Sequence, residues 1–338
     1  MGTPVSYNRL LMKAAYYESI GAATDVIRVG EKPTPEPRAT EVRVRIHTSG
    51  VNPSDVKSRA GSRGPLNFPY VIPHSDGAGI IDAVGTNIDP ARVGERVWTW
   101  NAAWRRPFGT CAEFVCLPAA QAVALPPGTD FEAGACLGIP AMTACHAALG
   151  DGALRGQTVL VTGGAGAVGH YAIQLAKWSG ARVFTTVSGE AKAKHAASAG
   201  ADHVINYRQQ DVVAAIKELT GGSGVDRIVE VEFGGNLAVS NQVLKLGGTI
   251  AAYGSTAVPN PSLPFYPMMF NHTTVHMLVV YALSPAQRQR ACALITQALE
   301  SGALIHSIGA RFALEDTARA HLAVESGGVI GNVVVSVG

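Results

Sequence analysis

Three groups of residues in this chain have types and spacings that suggest chemistry. The segment YVIPHSDGAG sets His74 beside Asp76 and a Gly-Ala-Gly turn, the kind of arrangement found at a catalytic metal. The segment TVLVTGGAGAVGHYAIQLAKW spaces Gly164, Gly166 and Gly169 as G-x-G-x-x-G, with Ala165, Ala167 and Val168 filling the turn. An apolar run precedes it and a helical one follows, as dinucleotide binding requires. The first glycine permits a tight turn and the second lets main-chain amides approach a pyrophosphate. The third lets the helix pack closely on the strand, with the pyrophosphate at the positive end of its dipole. The third group is five cysteines, Cys111, Cys116, Cys136, Cys145 and Cys292. They form no Cys-x-x-Cys pair and their number is odd, which reads as reduced thiols in a cytoplasmic protein.

The second strand of the glycine-rich unit separates NAD from NADP. An NAD site places Asp or Glu at its end, about 20 residues on, to hold the ribose 2′-hydroxyl. Here the strand ends TTVSGEAKAK, so the acid position falls on Val187, followed by Ser188 and Gly189. With no carboxylate to repel a 2′-phosphate and Lys192 nearby to attract one, the expected cofactor is NADP.

These residues need elements to hold them. A chain of 338 residues exceeds one ordinary core, and two domains are expected. At 47% hydrophobic, 15% charged and 38 glycines the composition suits an α/β enzyme and excludes disorder. A net charge of +2 gives no reason to invoke nucleic acid, and no apolar run is long enough to span a bilayer. The opening MGTPVS fits a loose Gly2 and Ser6 myristoylation pattern, but Pro4 sits within it and no lipid is expected.

To about residue 135, LMKAAYY, EVRVRIHTSG, GAGIIDAVG, GERVWTW and GTCAEFVCLP alternate as half-buried antiparallel strands. FEAGACLGIPAMTACHAAL is then helical, interrupted by Pro140. From Gly156, near-continuous apolar strands (TVLVTG, ARVFTTV, HVINY, RIVEVE, TIAAYG) alternate with helices, which means a parallel sheet covered on both faces. TTVHMLVVYA would add a sixth strand at the edge, where its open backbone invites a second copy of the chain. The tail, a helix SPAQRQRACALITQALESG followed by strands around EDTARAHLAVESG, is expected to return to the first domain. The expected division is 1–135 with 284–338, and 136–283.

From about Met12 onward the chain resembles the medium-chain dehydrogenase/reductase superfamily, and within it the zinc-free quinone oxidoreductases (the zeta-crystallin-like family). The shared stretches are GVNPSDVK, SDGAGIIDAVG, GERV, GIPAMTACHAAL, VTGGAGAVGHYAIQLAKWSGARV and HVINYRQQD. The resemblance implies a GroES-like β-rich catalytic domain, a doubly wound Rossmann domain with a six-stranded sheet, and a homodimer. In the zinc-dependent relatives a cysteine, a histidine and a second cysteine hold the metal. The matching positions here are Asn52, Ser75 and, at about that position, Ile139, which cannot supply such a donor set. His74 falls one residue early, and along extended chain that turns it to the opposite face. The structural-zinc lobe is replaced by WTWNAAWRRPFGT, and His272 and His276, four apart in a strand, would lie about 13 Å from each other. No metal is expected.

What remains is reduction of an electron-poor acceptor, a quinone or α,β-unsaturated carbonyl, which needs alignment and shielding more than an acid or a Lewis acid. The resemblance places Asn52 and Thr143 at the nicotinamide end of the site and Ser188, Lys192 and Tyr207 at the 2′-phosphate. It places Gly254 and Ser255 near the nicotinamide ribose, and Val279 and Val280 at the carboxamide. Asn332 stands at a cofactor position where a lysine is frequent. Asn52 could equally hold the turn before Pro53, and Thr143 could cap a helix turn. Lys57 and Arg63 replace tyrosines of zeta-crystallin, so the acceptor pocket differs. Trp98, Trp100 and Trp104 could wall a flat acceptor, though at least two are expected to be packing residues. The competing readings are a zinc-type alcohol dehydrogenase and a non-catalytic cofactor-binding or RNA-binding role.

Overall fold

Alternating apolar residues in the first stretch do produce antiparallel strands. The computed structural model describes residues 10–338, so the Gly2 and Ser6 pattern lies outside the described residues. A hairpin, β1 (Leu11–Tyr16) with β2 (Arg28–Pro33), precedes a long strand β3 (Glu41–Val51) and the short helix α1 (Pro53–Arg59). Next come β4 (Asp76–Val84), β5 (Arg96–Thr99), β6 (Phe114–Pro118) and β7 (Ala122–Ala124). β3 is the hinge of this sheet because it pairs with both β4 and β6. Val42, Val44, Ile46, Ile81 and Leu117 interdigitate beneath it, all but fully buried. Each such side chain stabilises the unit by roughly 1.5–3 kcal/mol.

After a π-turn at Leu137–Ala141 that absorbs Pro140, α2 (Met142–Leu149) leads into the parallel unit. Its strands are β8 (Thr158–Val161), β9 (Arg182–Val187), β10 (His203–Asn206), β11 (Val225–Glu230), β12 (Leu244–Ala252) and β13 (Thr274–Met277). They pair in the order β10-β9-β8-β11-β12-β13, every pair parallel. Chain order therefore reverses between β8 and β11, where ligands of such sheets bind. The covering helices are α3 (Ala167–Trp178), α4 (Glu190–Ser198), α5 (Val212–Leu219), α6 (Phe233–Val243) and α7 (Phe265–Phe270).

The expected sixth strand is shorter than the sequence suggested. It stops at Met277, and Val280–Ala282 form a 3-10 turn, while His272 lies in a left-handed turn before the strand.

The tail corrects the domain division. Helix α8 (Pro285–Glu300) belongs to the second compact unit, Ile139–Ser307, whereas it was expected with the first. Its buried stripe of Ala291, Ile295 and Ala298 serves the second core, and Arg290 donates to the Leu149 carbonyl at the end of α2. From residue 308 the chain does return. β14 (Ile308–Ala313) and β15 (Asn332–Ser336) extend the first sheet next to β3, with α9 (Thr317–Glu325) packed on them. No helix among the described residues is long and apolar enough to cross a membrane.

Candidate functional site

The glycine turn follows β8 and opens α3, and each of its glycines has a distinct steric reason. A Cβ on Gly164 would fall 2.0 Å from the Thr185 hydroxyl of β9, and one on Gly169 would fall 2.4 Å from the Gly163 carbonyl. One on Gly166 meets nothing closer than 3.4 Å. The first and third glycines therefore let strand and helix close on each other. The second is exposed, with room beside it for a ligand rather than for protein. Ala165 is buried behind the turn, and Ala167, Val168 and Gly169 supply the first amides of α3, which have no intrahelical acceptor. A phosphate group fits this cradle on both charge and space.

Beside it is a cavity of about 490 Å³ lined by Thr162, Gly163, Thr186, Tyr207, Glu232 and Asn236, among others. The end of β9 carries no acid: Val187 is buried and Ser188 half-buried. Tyr207 is half exposed, and its amide donates to the Val187 carbonyl, which sets the two strand ends side by side. Lys192 is in the first turn of α4 and makes no ion pair among the described residues; Lys194 takes Glu190 instead. Ser188, Lys192 and Tyr207 thus occupy one end of the sheet. Arg208, exposed next to Tyr207, is a cation at the same end that sequence reasoning passed over.

Two carboxylates organise the opposite wall, and sequence reasoning missed both. Glu230 ends β11 fully buried, accepting from the Thr162 hydroxyl at 2.8 Å, the Glu232 amide at 2.6 Å and Asn236 Nδ2 at 2.9 Å. Burial pushes its carboxyl above the usual range. Glu232 accepts from the amides of Thr256, Ala257 and Val258. Partial burial works against its charge, but those amides hold it below the usual range. Nothing in the local pattern marks either residue, since Glu230 meets the Thr162 hydroxyl, and Glu232 its three amides, only through the parallel pairing of β8, β11 and β12.

Gly254, Ser255 and Val279 line a second cavity, of about 380 Å³, with Tyr253, Pro259 and Leu278. The Ser255 hydroxyl is used within its own loop, accepting from the Gly234 amide and donating to the Val258 carbonyl. Val280 is buried, and the carbonyls of Val279 and Val280 accept from Ala282 and Leu283 inside the 3-10 turn. Carbonyls already engaged in this way are less available to a carboxamide than strand carbonyls would be.

In the first unit Asn52 heads α1. Its Nδ2 donates to Asp76 Oδ2 at 2.8 Å and its amide to Asp55 Oδ2 at 2.8 Å. The turn-holding role is therefore real, and one Nδ2 hydrogen remains beyond the bond to Asp76. Thr143 lies buried in the first turn of α2, in the second unit. Asn332 is buried at the start of β15, in register with Ile308 in the first unit.

At the positions matching the zinc ligands of relatives, Ser75 is buried with its carbonyl accepting from Ala102. Ile139 lies in the π-turn. His74 turns away into a hydrogen-bonded cluster with Ser49 and His321. Cys111 contacts the Thr317 hydroxyl and Cys116 is half-buried. Trp98 and Trp100 are core residues, which leaves Trp104 as the more open of the three.

Comparison with known proteins gives the family. The alcohol dehydrogenase GroES-like domain model matches residues 38–127 and the zinc-binding dehydrogenase model residues 167–297. The human quinone oxidoreductase is 32% identical over 307 residues, covering 89% of this chain and 90% of that protein. A Burkholderia 2-haloacrylate reductase is 30% identical, covering 88% and 91%. Among solved structures, a mycobacterial protein complexed with NADPH superposes with a TM-score of 0.85 at 28% identity, covering 96% of this chain and 100% of that one. The chain is therefore a quinone oxidoreductase-like member of the medium-chain dehydrogenase/reductase superfamily.

Proposed function

We propose that this protein is an NADPH-dependent reductase that delivers hydride to a quinone or α,β-unsaturated carbonyl without zinc. The observation that carries the reading is the acid-free end of β9, with Ser188, Lys192 and Tyr207 grouped beside a glycine turn that has room for a pyrophosphate. NADPH, when bound, supplies the hydride. The main chain of Gly164–Gly169 would hold the pyrophosphate, and Lys192, with Arg208 close by in sequence to Tyr207, the 2′-phosphate. Asn52 would offer its remaining amide hydrogen to the acceptor carbonyl, steadied by Asp76. Asn52, Ser75 and Ile139 support a zinc-free reaction, because an amide, a hydroxyl and an alkyl group are a poor zinc donor set. The haloacrylate and quinone relatives both reduce conjugated acceptors by name, which supports that class.

An assay of NADPH consumption with a panel of quinones and enones tests the reading. Turnover of at least one acceptor is expected, with a larger thermal shift from NADPH than from NADH. Lys192→Ala is expected to weaken NADPH about tenfold, some 1.4 kcal/mol, and to leave NADH unchanged. Equal shifts from the two cofactors would remove the 2′-phosphate argument. One zinc per purified chain would remove the zinc-free part.

The near-neutral charge supports a small-molecule partner over nucleic acid, and five free cysteines fit a reducing cytoplasm. A homodimer is proposed through β13, the edge strand of the parallel sheet. Phe265, Tyr266 and Phe270 of the preceding helix and Met277 of the strand are each at least 65% exposed, apolar surface that a second copy would cover. Native mass measurement is expected to give a dimer, and Phe270→Glu with Met277→Lys a monomer. A wild-type monomer at micromolar concentration would reject it.

A further inference from the structure

The reading above makes no use of His74 and His321. Both are fully buried, and their Nε2 atoms approach to 3.0 Å across stacked rings. So short a contact between ring nitrogens holds one hydrogen and one lone pair.

The neighbouring bonds decide where that hydrogen is. The Thr110 hydroxyl donates to the Asp76 carbonyl, which can only accept. Thr110 must then accept from Ser49 Oγ at 2.7 Å, and Ser49 must accept from His74 Nδ1 at 2.8 Å. Neutral His74 therefore carries its proton on Nδ1 and presents a lone pair at Nε2. His321 donates into that lone pair from Nε2–H, leaving its own Nδ1 a bare acceptor with no partner among the described residues. Every bond in the chain runs one way, from His321 to Asp76.

A second proton has no place in this arrangement. On His74 it would set two N–H groups head to head. On His321 it would form a buried cation facing Arg59 of α1, whose own partner, Glu325 of α9, is already engaged. The other titratable groups around the pair are Tyr17 and Cys111, both pushed up to about 12 mainly by burial, Asp55 of α1 and Asp76 of β4. Burial first, then Arg59, holds His321 down to about 3, and burial with His321 holds His74 well below its ordinary value.

We infer that His74 and His321 form a one-proton lock that ties α9 to β3 and β4, and that uptake of a second proton releases it. Ser49 lies three residues before Asn52, and Asp76 accepts the Asn52 amide, so the lock sits directly behind that residue. Its consequence for activity rests on the proposed role of Asn52; the lock itself does not.

The test is ¹⁵N-histidine NMR of the full chain, together with acid unfolding of the wild type and His321→Gln. Glutamine keeps a side-chain N–H donor but cannot be charged. The spectra are expected to show His74 protonated at Nδ1 and His321 at Nε2, neither titrating from about pH 8 to about pH 5. A histidine whose folded value is lowered gives stability that is lost as pH falls from about 6.5, so His321→Gln should move the acid midpoint down by about one unit. Asp55 acts with the opposite sign over about pH 4 to about pH 7, and because it is common to both proteins it cancels in the difference between them. His74 protonated at Nε2, either ring titrating near its ordinary value, or an unchanged acid midpoint in His321→Gln would overturn the lock. If the midpoint moves and the acid limb of kcat/KM does not, the link to Asn52 fails and the lock stands.

Discussion

Gly166→Asp is expected to abolish NADPH binding and leave the fold intact. A side chain at this position meets no protein atom closer than 3.4 Å, and the backbone is in the extended region open to any residue. Aspartate is also a good cap for α3, and glycine is only a few tenths of a kcal/mol worse there, so thermal stability should hold or rise by about that much. Its carboxylate would occupy the space and field that the pyrophosphate needs, and the dissociation constant should rise by at least about 100-fold. Gly169→Ala should behave in the opposite manner. Its Cβ would lie 2.4 Å from the Gly163 carbonyl and 2.9 Å from Gly164 Cα, backbone atoms that cannot step aside. A loss of about 1–3 kcal/mol or more is expected there, with binding impaired as a consequence of unfolding. Thermal shift with and without NADPH separates the two, and a Gly166→Asp variant still stabilised by NADPH would refute the cradle.

Asp55→Asn should make the protein more stable above about pH 7 and little different near pH 4. Asp55 is buried, and burial raises its carboxyl from the ordinary 3.8 to about 7, against the amides of Asn52 and Ser75 and the charge of Arg63. A raised folded value means that the folded state holds its proton more tightly than the unfolded chain does. The stability this gives is complete below about pH 4 and is lost as pH rises through about 7. Over that window the wild type should lose roughly 4 kcal/mol at most. Asparagine has no proton to lose and can still accept from the Asn52 amide. Urea unfolding of both proteins at about pH 4 and about pH 8.5 checks the difference. Parallel pH profiles would show that Asp55 is not ionising in this range.

The parallel sheet was legible because buried strands read as unbroken apolar runs, and the glycine spacing marked the turn that follows the first of them. Helix α6 was not expected, because Gly234 and Gly235 interrupt its pattern in the first turn. Helix α7 was hidden by Pro264 just before it and Pro267 within it. The allegiance of α8 could not be read either, since Ala291, Ile295 and Ala298 say that the helix buries a stripe but not against which core. Site residues followed the same rule. Gly164, Gly166 and Gly169 declare themselves by local spacing. Glu230 and Glu232 are ordinary acids until the fold brings β8 and the loop after β12 to them. His74 drew attention as a possible metal ligand, and its actual partner is 247 residues away.

Glu232 grips the loop at 256–258 entirely through main-chain amides. The loop's shape therefore does not depend on what Thr256, Ala257 and Val258 carry beyond Cα. Positions of that kind are where a protein can change its preferences without risking its architecture. Ser255 and Pro259, on either side, line the cavity at the end of β12. Substitutions at these three positions are expected to leave that frame unchanged, so the carboxylate that fixes the loop is also what makes it evolvable.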